Sequence, residues 1–197
     1  NASGLPDPVH VMSSRDLATL ARAVITRFPE PYKMYGEREF TYNNIRQPNR
    51  NSLLFTDRNV DGMKTGFTDD AGYCLVASAV RDGMRLITVV MGTSSTDARA
   101  QETQKLLTYG FRFYERHQLF EQDTPITKAR VWKGEFEQVE LGLSKPLSAV
   151  VPTGRRELLS AEMDLNDNIM APVSTSQELG QVRIMLDGEV IAREPLH

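Results

Sequence analysis

The chain has 197 residues, 40% of them hydrophobic and 25% charged, with a formal net charge of -3. That is room for one large domain or two small ones around a packed core, and it excludes a disordered polymer. The acidic balance and the lack of any Lys/Arg block exclude a nucleic-acid footprint, and no apolar run is long enough to span a bilayer.

Asn1 to His10 contains Gly4, Pro6 and Pro8 and reads as a loop. Ser13 or Ser14 can cap a following helix, with Asp16 in its first turn. Leu17, Leu20, Ala21, Val24, Ile25 and Phe28 recur at three and four residues, which predicts one buried helical face. Pro29 and Pro31 end that helix, and Met34 and Tyr35 are expected to pack. Phe40 to Ile45 reads as a strand. A polar turn with two arginines follows it, Arg46-Gln47-Pro48-Asn49-Arg50-Asn51.

The rest of the chain is organised around Asn59-Val60-Asp61-Gly62-Met63-Lys64-Thr65-Gly66-Phe67. A lysine, a hydroxyl and a glycine in succession supply a cation, a hydrogen-bonding group and a backbone that another chain can approach closely. Such a tripeptide also arises by chance, so its surroundings must carry the case. Thr68 to Ala79 contains a run rich in Val, Leu and Ala, Asp82-Gly83 is a favoured hairpin turn, and Met84 to Met91 is apolar again. Lys64 to Gly66 therefore falls at the edge of an antiparallel sheet, where unpaired backbone groups can take an extended peptide as an added strand. Cys74, the one cysteine, excludes an internal disulfide and reads as a small buried hydrophobe within its apolar run. His10, His117 and His197 have no ligand-like spacing to one another or to Cys74, so neither a metal nor a cofactor is expected.

From Thr96 to Arg116 the pattern is helical. Ser95 or Thr96 can cap, Asp97 suits the N-terminus, and Leu107, Gly110, Phe111 and Tyr114 share one face, with Arg112 off it. After His117 short apolar segments recur from Ile126 to Ile191, punctuated by Gly134, Pro146, Gly154, Pro172 and Gly180. Asp187-Gly188 is a second hairpin turn, and Glu135, Glu137 and Glu140 read as a solvated strand face. This is the pattern of a small all-β domain.

Taken together, the chain resembles the active-site-serine penicillin-binding proteins. The particular likeness is to the low-molecular-weight D,D-carboxypeptidases that remove the terminal D-alanine from peptidoglycan stem peptides. Lys64-Thr65-Gly66 matches one element of that family's signature, whose other elements are Ser-x-x-Lys and Ser-x-Asn. Asn1 to Asp16, Ile45 to Leu54, Val60 to Ala79 and Leu106 to Glu115 are similar to the family as well. The resemblance implies an α/β (α+β) catalytic domain of the β-lactamase and penicillin-binding-protein type. Its C-terminal part, an antiparallel sheet with helices, would occupy residues 1–118, and a small all-β domain residues 119–197.

The same resemblance implies a serine-type carboxypeptidase that works through an acyl-enzyme and is acylated by β-lactams. Lys64 would lend positive charge and relay protons. Thr65 would bind the substrate's terminal carboxylate together with Arg112 and Arg50, since a guanidinium meets a carboxylate with two bonds. Gly66 would leave room for the peptide, and the backbone N–H of Phe67 would be an oxyanion donor. The family often carries a smaller or polar residue at the Phe67 position, which is a departure here.

The nucleophile is expected outside these residues. No serine from Ser3 to Ser176 has a lysine three positions later, and no Ser-x-Asn is present. The chain is therefore expected to be the C-terminal part of a longer enzyme. Its partners would be the N-terminal part of the same catalytic domain, the pentapeptide substrate and β-lactams. The resemblance places such an enzyme in the periplasm at the outer face of the inner membrane, held by a C-terminal amphipathic anchor not expected within these residues. A D,D-endopeptidase, a β-lactamase and a non-catalytic peptide-binding fragment are the alternatives on this fold. The added β domain argues against the first two.

Overall fold

The computed structural model describes Leu5, Asp7 and residues 9–197, so the loop residues Gly4, Pro6 and Pro8 lie outside the described residues. The chain forms two compact units, Asn1–Arg112 and Phe113–His197.

In the first unit the opening helix, α1 (Ser14–Arg27), is capped by Ser13. The Ser13 hydroxyl accepts the Asp16 N–H at 3.1 Å, and the Asp16 carboxylate accepts the Ser13 N–H at 3.2 Å. Those bonds to Ser13 hold the Asp16 carboxyl below its usual range. The apolar stripe of α1 has the expected period but is only half covered. Ala21 is buried, Leu17, Val24 and Ile25 are partly covered, and Leu20 and Phe28 are exposed.

A short helix, α2 (Pro29–Tyr32), and a 3-10 turn at Lys33–Gly36 follow. Tyr32 is buried with Tyr35 against it at 5.9 Å between ring centroids, whereas Met34 is exposed rather than packed. The strand expected over 40–45 is a hairpin of β1 (Glu39–Tyr42) and β2 (Ile45–Pro48). Asn43 and Asn44 form its turn with φ of 48° and 61°, a left-handed conformation that asparagine tolerates.

One turn of helix, α3 (Leu53–Thr56), leads into a sheet of β3 (Val60–Thr68), β4 (Gly72–Arg81) and β5 (Met84–Thr93). The strands are antiparallel in the order β3-β4-β5, and Asp82-Gly83 makes the turn between the last two, with φ of 50° and 76°. The closing helix, α4 (Thr96–Phe113), starts where the Ser95 hydroxyl accepts the Ala98 N–H at 3.0 Å. One face of the sheet buries Val60, Leu75, Ala77 and Ala79 with Leu107 and Phe111 of α4. The other face packs Val76 and Ile87 with Ala21, Val24 and Ile25 of α1.

The second unit is all-β apart from a 3-10 turn at Arg156–Leu158. It contains β6 (Tyr114–Phe120), β7 (Thr127–Arg130), β8 (Gln138–Leu141), β9 (Leu147–Pro152), β10 (Leu159–Leu165), β11 (Gly180–Leu186) and β12 (Glu189–Leu196). β6 pairs with β9, β7 with β8, and the last three strands form a sheet in the order β10-β11-β12. Leu141, Leu143, Ala149, Val151, Val182 and Ile184 are buried in its core. Asp187-Gly188 turns β11 into β12 with φ of 51° and 82°. The division between units falls earlier than residue 118. Tyr114, expected on the α4 stripe, instead opens β6, because residues 114–120 satisfy their backbone groups against β9.

Candidate active site

Among the described strands β3 has a neighbour on one side only, so its other side is an open edge. Lys64 pairs with Val76, Thr65 with Leu75, Gly66 with Cys74 and Phe67 with Tyr73. Lys64, Thr65 and Gly66 border a groove of about 320 Å³ whose far wall is Leu17, Leu20, Ala21 and Val24 of α1. Lys64 is exposed and its Nζ donates to the Thr65 carbonyl at 2.5 Å. A Cβ built on Gly66 would meet only the Cβ of Cys74, at an ordinary 3.8 Å. The fold of the described residues therefore does not itself demand glycine there; an approaching second chain would. Phe67 is exposed and lays its ring on Tyr73, with centroids 4.4 Å apart. Cys74 is half-buried rather than buried, and its Sγ donates to the Ala71 carbonyl at 3.4 Å.

An arginine absent from the sequence reading completes this edge. Arg99, near the start of α4, is 5% exposed. Its Nη1 lies 3.3 Å from the Gly66 carbonyl oxygen and 3.5 Å from that of Cys74, and its Nη2 lies 3.4 Å from that of Arg50. Gly66 and Cys74 face each other across the two strands. One nitrogen can reach both carbonyls only if both point into the gap between the strands. By the two-residue alternation of a strand, the N–H groups of Thr65 and Phe67 then point to the open edge. Arg99 also ties down the backbone of Arg50, whose side chain is exposed, so the polar turn is held beside the tripeptide. The buried Asn51 does the same from the other side, donating from Nδ2 to the Gly62 carbonyl at 3.1 Å.

Arg112 is not in this group. It lies thirteen residues from Arg99, about 20 Å along a helix rising 1.5 Å per residue. The carbonyl of its neighbour Phe111 accepts from Arg81, at the end of β4 remote from Cys74. Helix geometry thus brings Arg99 to the tripeptide and sets Arg112, expected beside Thr65, near the other end of α4. A signal for this was available. Arg99, Thr103, Leu107 and Gly110 fall on one stripe, so Arg99 is a cation on the core-facing side of an amphipathic helix. Among the described residues no group of three or more His, Cys, Asp or Glu side chains could hold a metal ion.

The described residues thus form a three-stranded antiparallel sheet between helices, with an open lysine-bearing edge, and a small β domain follows in the sequence. Residues 1–95 match the family model for D-alanyl-D-alanine carboxypeptidase, and residues 114–197 match that for the penicillin-binding protein 5 C-terminal domain. The chain is 43% identical over 195 residues to D-alanyl-D-alanine carboxypeptidase DacC of Escherichia coli K12, covering 98% of this chain and 49% of that relative. Among solved structures it is similar to penicillin binding protein 5 from Haemophilus influenzae, with a TM-score of 0.81 and 42% identity over 98% of this chain and 57% of that one. Penicillin-binding protein D2 from Listeria monocytogenes in its cefotaxime-bound form is similar over 56% of this chain and 46% of that one, with a TM-score of 0.52 and 34% identity. The chain belongs to the low-molecular-weight penicillin-binding proteins of the D-alanyl-D-alanine carboxypeptidase family. It spans about half the length of the curated relatives it matches.

Proposed function

We propose that this chain carries the Lys-Thr-Gly side of the active site of a serine-type D-Ala-D-Ala carboxypeptidase, with the serine supplied by the N-terminal part of the same catalytic domain. The observation that carries the reading is the open edge of β3 at Thr65 to Phe67, bordered by a groove and underlain by a buried cation. An extended stem peptide adds to that edge as a strand, with Gly66 leaving its backbone room to approach. The Thr65 hydroxyl and the Arg50 guanidinium receive the terminal carboxylate, and Arg99 adds positive potential from below. The Phe67 N–H faces the developing oxyanion.

The serine oxygen bonds to the carbonyl carbon of the penultimate D-alanine, and the C–N bond to the terminal D-alanine breaks. The serine proton passes to the departing amine through the network that Lys64 polarises. Water then hydrolyses the ester. A β-lactam follows the first step through its ring amide, in keeping with the cefotaxime-bound relative. The whole enzyme works on peptidoglycan in the periplasm, at the outer face of the inner membrane, held by an anchor outside these residues. No helix among the described residues is long and apolar enough to cross a membrane.

The test is intact mass of the full-length polypeptide before and after benzylpenicillin, with D-alanine release from a pentapeptide measured alongside. One added penicilloyl group and release of D-alanine are expected. No mass gain by the full-length protein overturns the reading, and a gain by residues 1–197 alone overturns the placement of the serine outside them.

A further inference from the structure

β3 does not keep one phase along its length. Val60 pairs with Ala79, and both are buried on the α4 side of the sheet. Gly62, Lys64 and Gly66 pair with Ser78, Val76 and Cys74. Of these, Val76 packs with the α1 cluster and Cys74 lines the groove beside α1. Val60 and Lys64 are an even number of residues apart, yet they belong to opposite faces. A register shift between Val60 and Gly62 falls between them and leaves Asp61 as an extra residue without a partner across the ladder. In a strand without that extra residue, Lys64 would keep the phase of Val60 and turn into the α4 core.

The extra residue is held from several directions. Tyr32 Oη donates to Asp61 Oδ1 at 2.9 Å, and Arg85 Nη1 lies 2.8 Å from Oδ2. The same Nη1 donates to the buried Ser78, and the Arg85 guanidinium lies over the Tyr32 ring at 5.6 Å. One residue on, the Gly62 carbonyl takes the Asn51 amide. A Cβ at position 62 would fall 2.6 Å from Tyr32 Oη, so the seat of Tyr32 on the bulge requires glycine there. These contacts act on the two residues that decide the phase and touch none of the groups that meet substrate.

We propose that Asp61, clamped by Tyr32 and Arg85, is a positioning residue that fixes the phase of β3 and so aims Lys64 and Gly66 at the groove. The proposal rests on the carboxypeptidase reading above and deepens it. Its test compares full-length wild type with Asp61→Ala, following benzylpenicillin acylation over time by intact mass and D-alanine release by kcat and KM. For Asp61→Ala every molecule is expected to acylate in the end, at a rate roughly tenfold to a hundredfold lower, with the loss in kcat rather than KM. Asp61→Asn keeps an acceptor for Tyr32 and is expected to recover part of that rate. It carries the same test if the alanine variant does not fold. A smaller acylated fraction reacting at the wild-type rate would mean that Asp61 serves folding only and would overturn the proposal, as would unchanged kinetics. Failure of the wild type itself to acylate sinks the carboxypeptidase reading instead, so the two failures are told apart.

Discussion

Arg99 lies beneath Gly66, with its Nη1 3.3 Å from the glycine carbonyl oxygen and its guanidinium over the Tyr73 ring at 5.7 Å. A cation buried on neutral carbonyls keeps its positive potential for what arrives at the edge above it. Replacing Arg99 by alanine leaves the carbonyls of Gly66, Cys74 and Arg50 without this donor and opens a void. A loss of about 2–3 kcal/mol of stability is expected, with a larger proportional loss of D-alanine release. Arg112→Ala, on an exposed site at the far end of α4, is expected to keep its D-alanine release close to that of wild type. Parallel thermal melts and turnover assays check this. Equal losses in the two variants would return Arg112 to the substrate's carboxylate.

Gly66 separates stability from function. On an extended strand, alanine in place of glycine reduces the freedom of the unfolded chain and stabilises by about 0.5 kcal/mol where space allows. Space does allow, since only the Cys74 Cβ stands within 4 Å of the added atom, at 3.8 Å. Gly66→Ala is therefore expected to melt at or slightly above the wild-type temperature. Its methyl would stand in the path of the proposed stem peptide, so acylation by benzylpenicillin and D-alanine release should fall roughly tenfold or more. A variant that melts higher and turns over normally would remove the peptide from the β3 edge.

The turns and the sheet were legible because their residues have few other uses. Asp82-Gly83 and Asp187-Gly188 favour left-handed backbone, and they turn where the apolar runs on either side require it. Asn43-Asn44 does the same chemistry but was hidden inside a run of β-forming residues, so a hairpin read as one strand. The half-covered stripe of α1 has a sound period. How much of it the sheet covers is decided by β4 and β5, which no local pattern reveals. The place of Lys64 to Gly66 on an edge strand was readable from the two apolar runs and the turn between them. Arg99 was missed because the linear neighbourhood Phe111-Arg112-Phe113 drew attention, while the helical stripe pointed fourteen residues upstream of Phe113. The bulge at Asp61 leaves no mark in periodicity, because an extra residue shows only once both strands are aligned.

Asp57 ties the start of β3 to α4. Its carboxylate accepts the N–H and the side-chain amide of Asn59, each at 2.9 Å, and the side-chain amide of Gln104 at 3.0 Å. Burial alone would raise its pKa, but the bonds from Asn59 and Gln104, with Arg81 nearby, bring it below the ordinary value. With the folded pKa depressed, the unfolded chain binds the proton more tightly. The contribution to stability is complete above about pH 4, the unfolded value, and is lost as pH falls through the lower folded one. Urea unfolding of wild type and Asp57→Asn from neutral to acid pH checks this. The gap between them is expected to be constant near neutrality and to close on the acid side. A gap that persists unchanged into acid would show that Asp57 acts by shape and not by charge.

Tyr32 reports on the clamp at the other end of the pH scale. Its burial pushes the phenol up to about 12. The Ser78 hydrogen bond works against that rise, and the Asp61 carboxylate adds to it. The unfolded chain releases a tyrosine proton near pH 10, so between there and about 12 the folded form holds a proton that the unfolded form has lost. Stability from this group is therefore level below about pH 10 and declines above it. The chain has 6 tyrosines, so a tyrosinate absorbance titration is expected to show a late component that Tyr32→Phe removes. Asp61→Asn should bring that component to lower pH, because a neutral neighbour no longer opposes the phenolate. If the late component survives Tyr32→Phe, another phenol is the buried one, and the hydrogen bond from Tyr32 to Asp61 does not hold the bulge in solution.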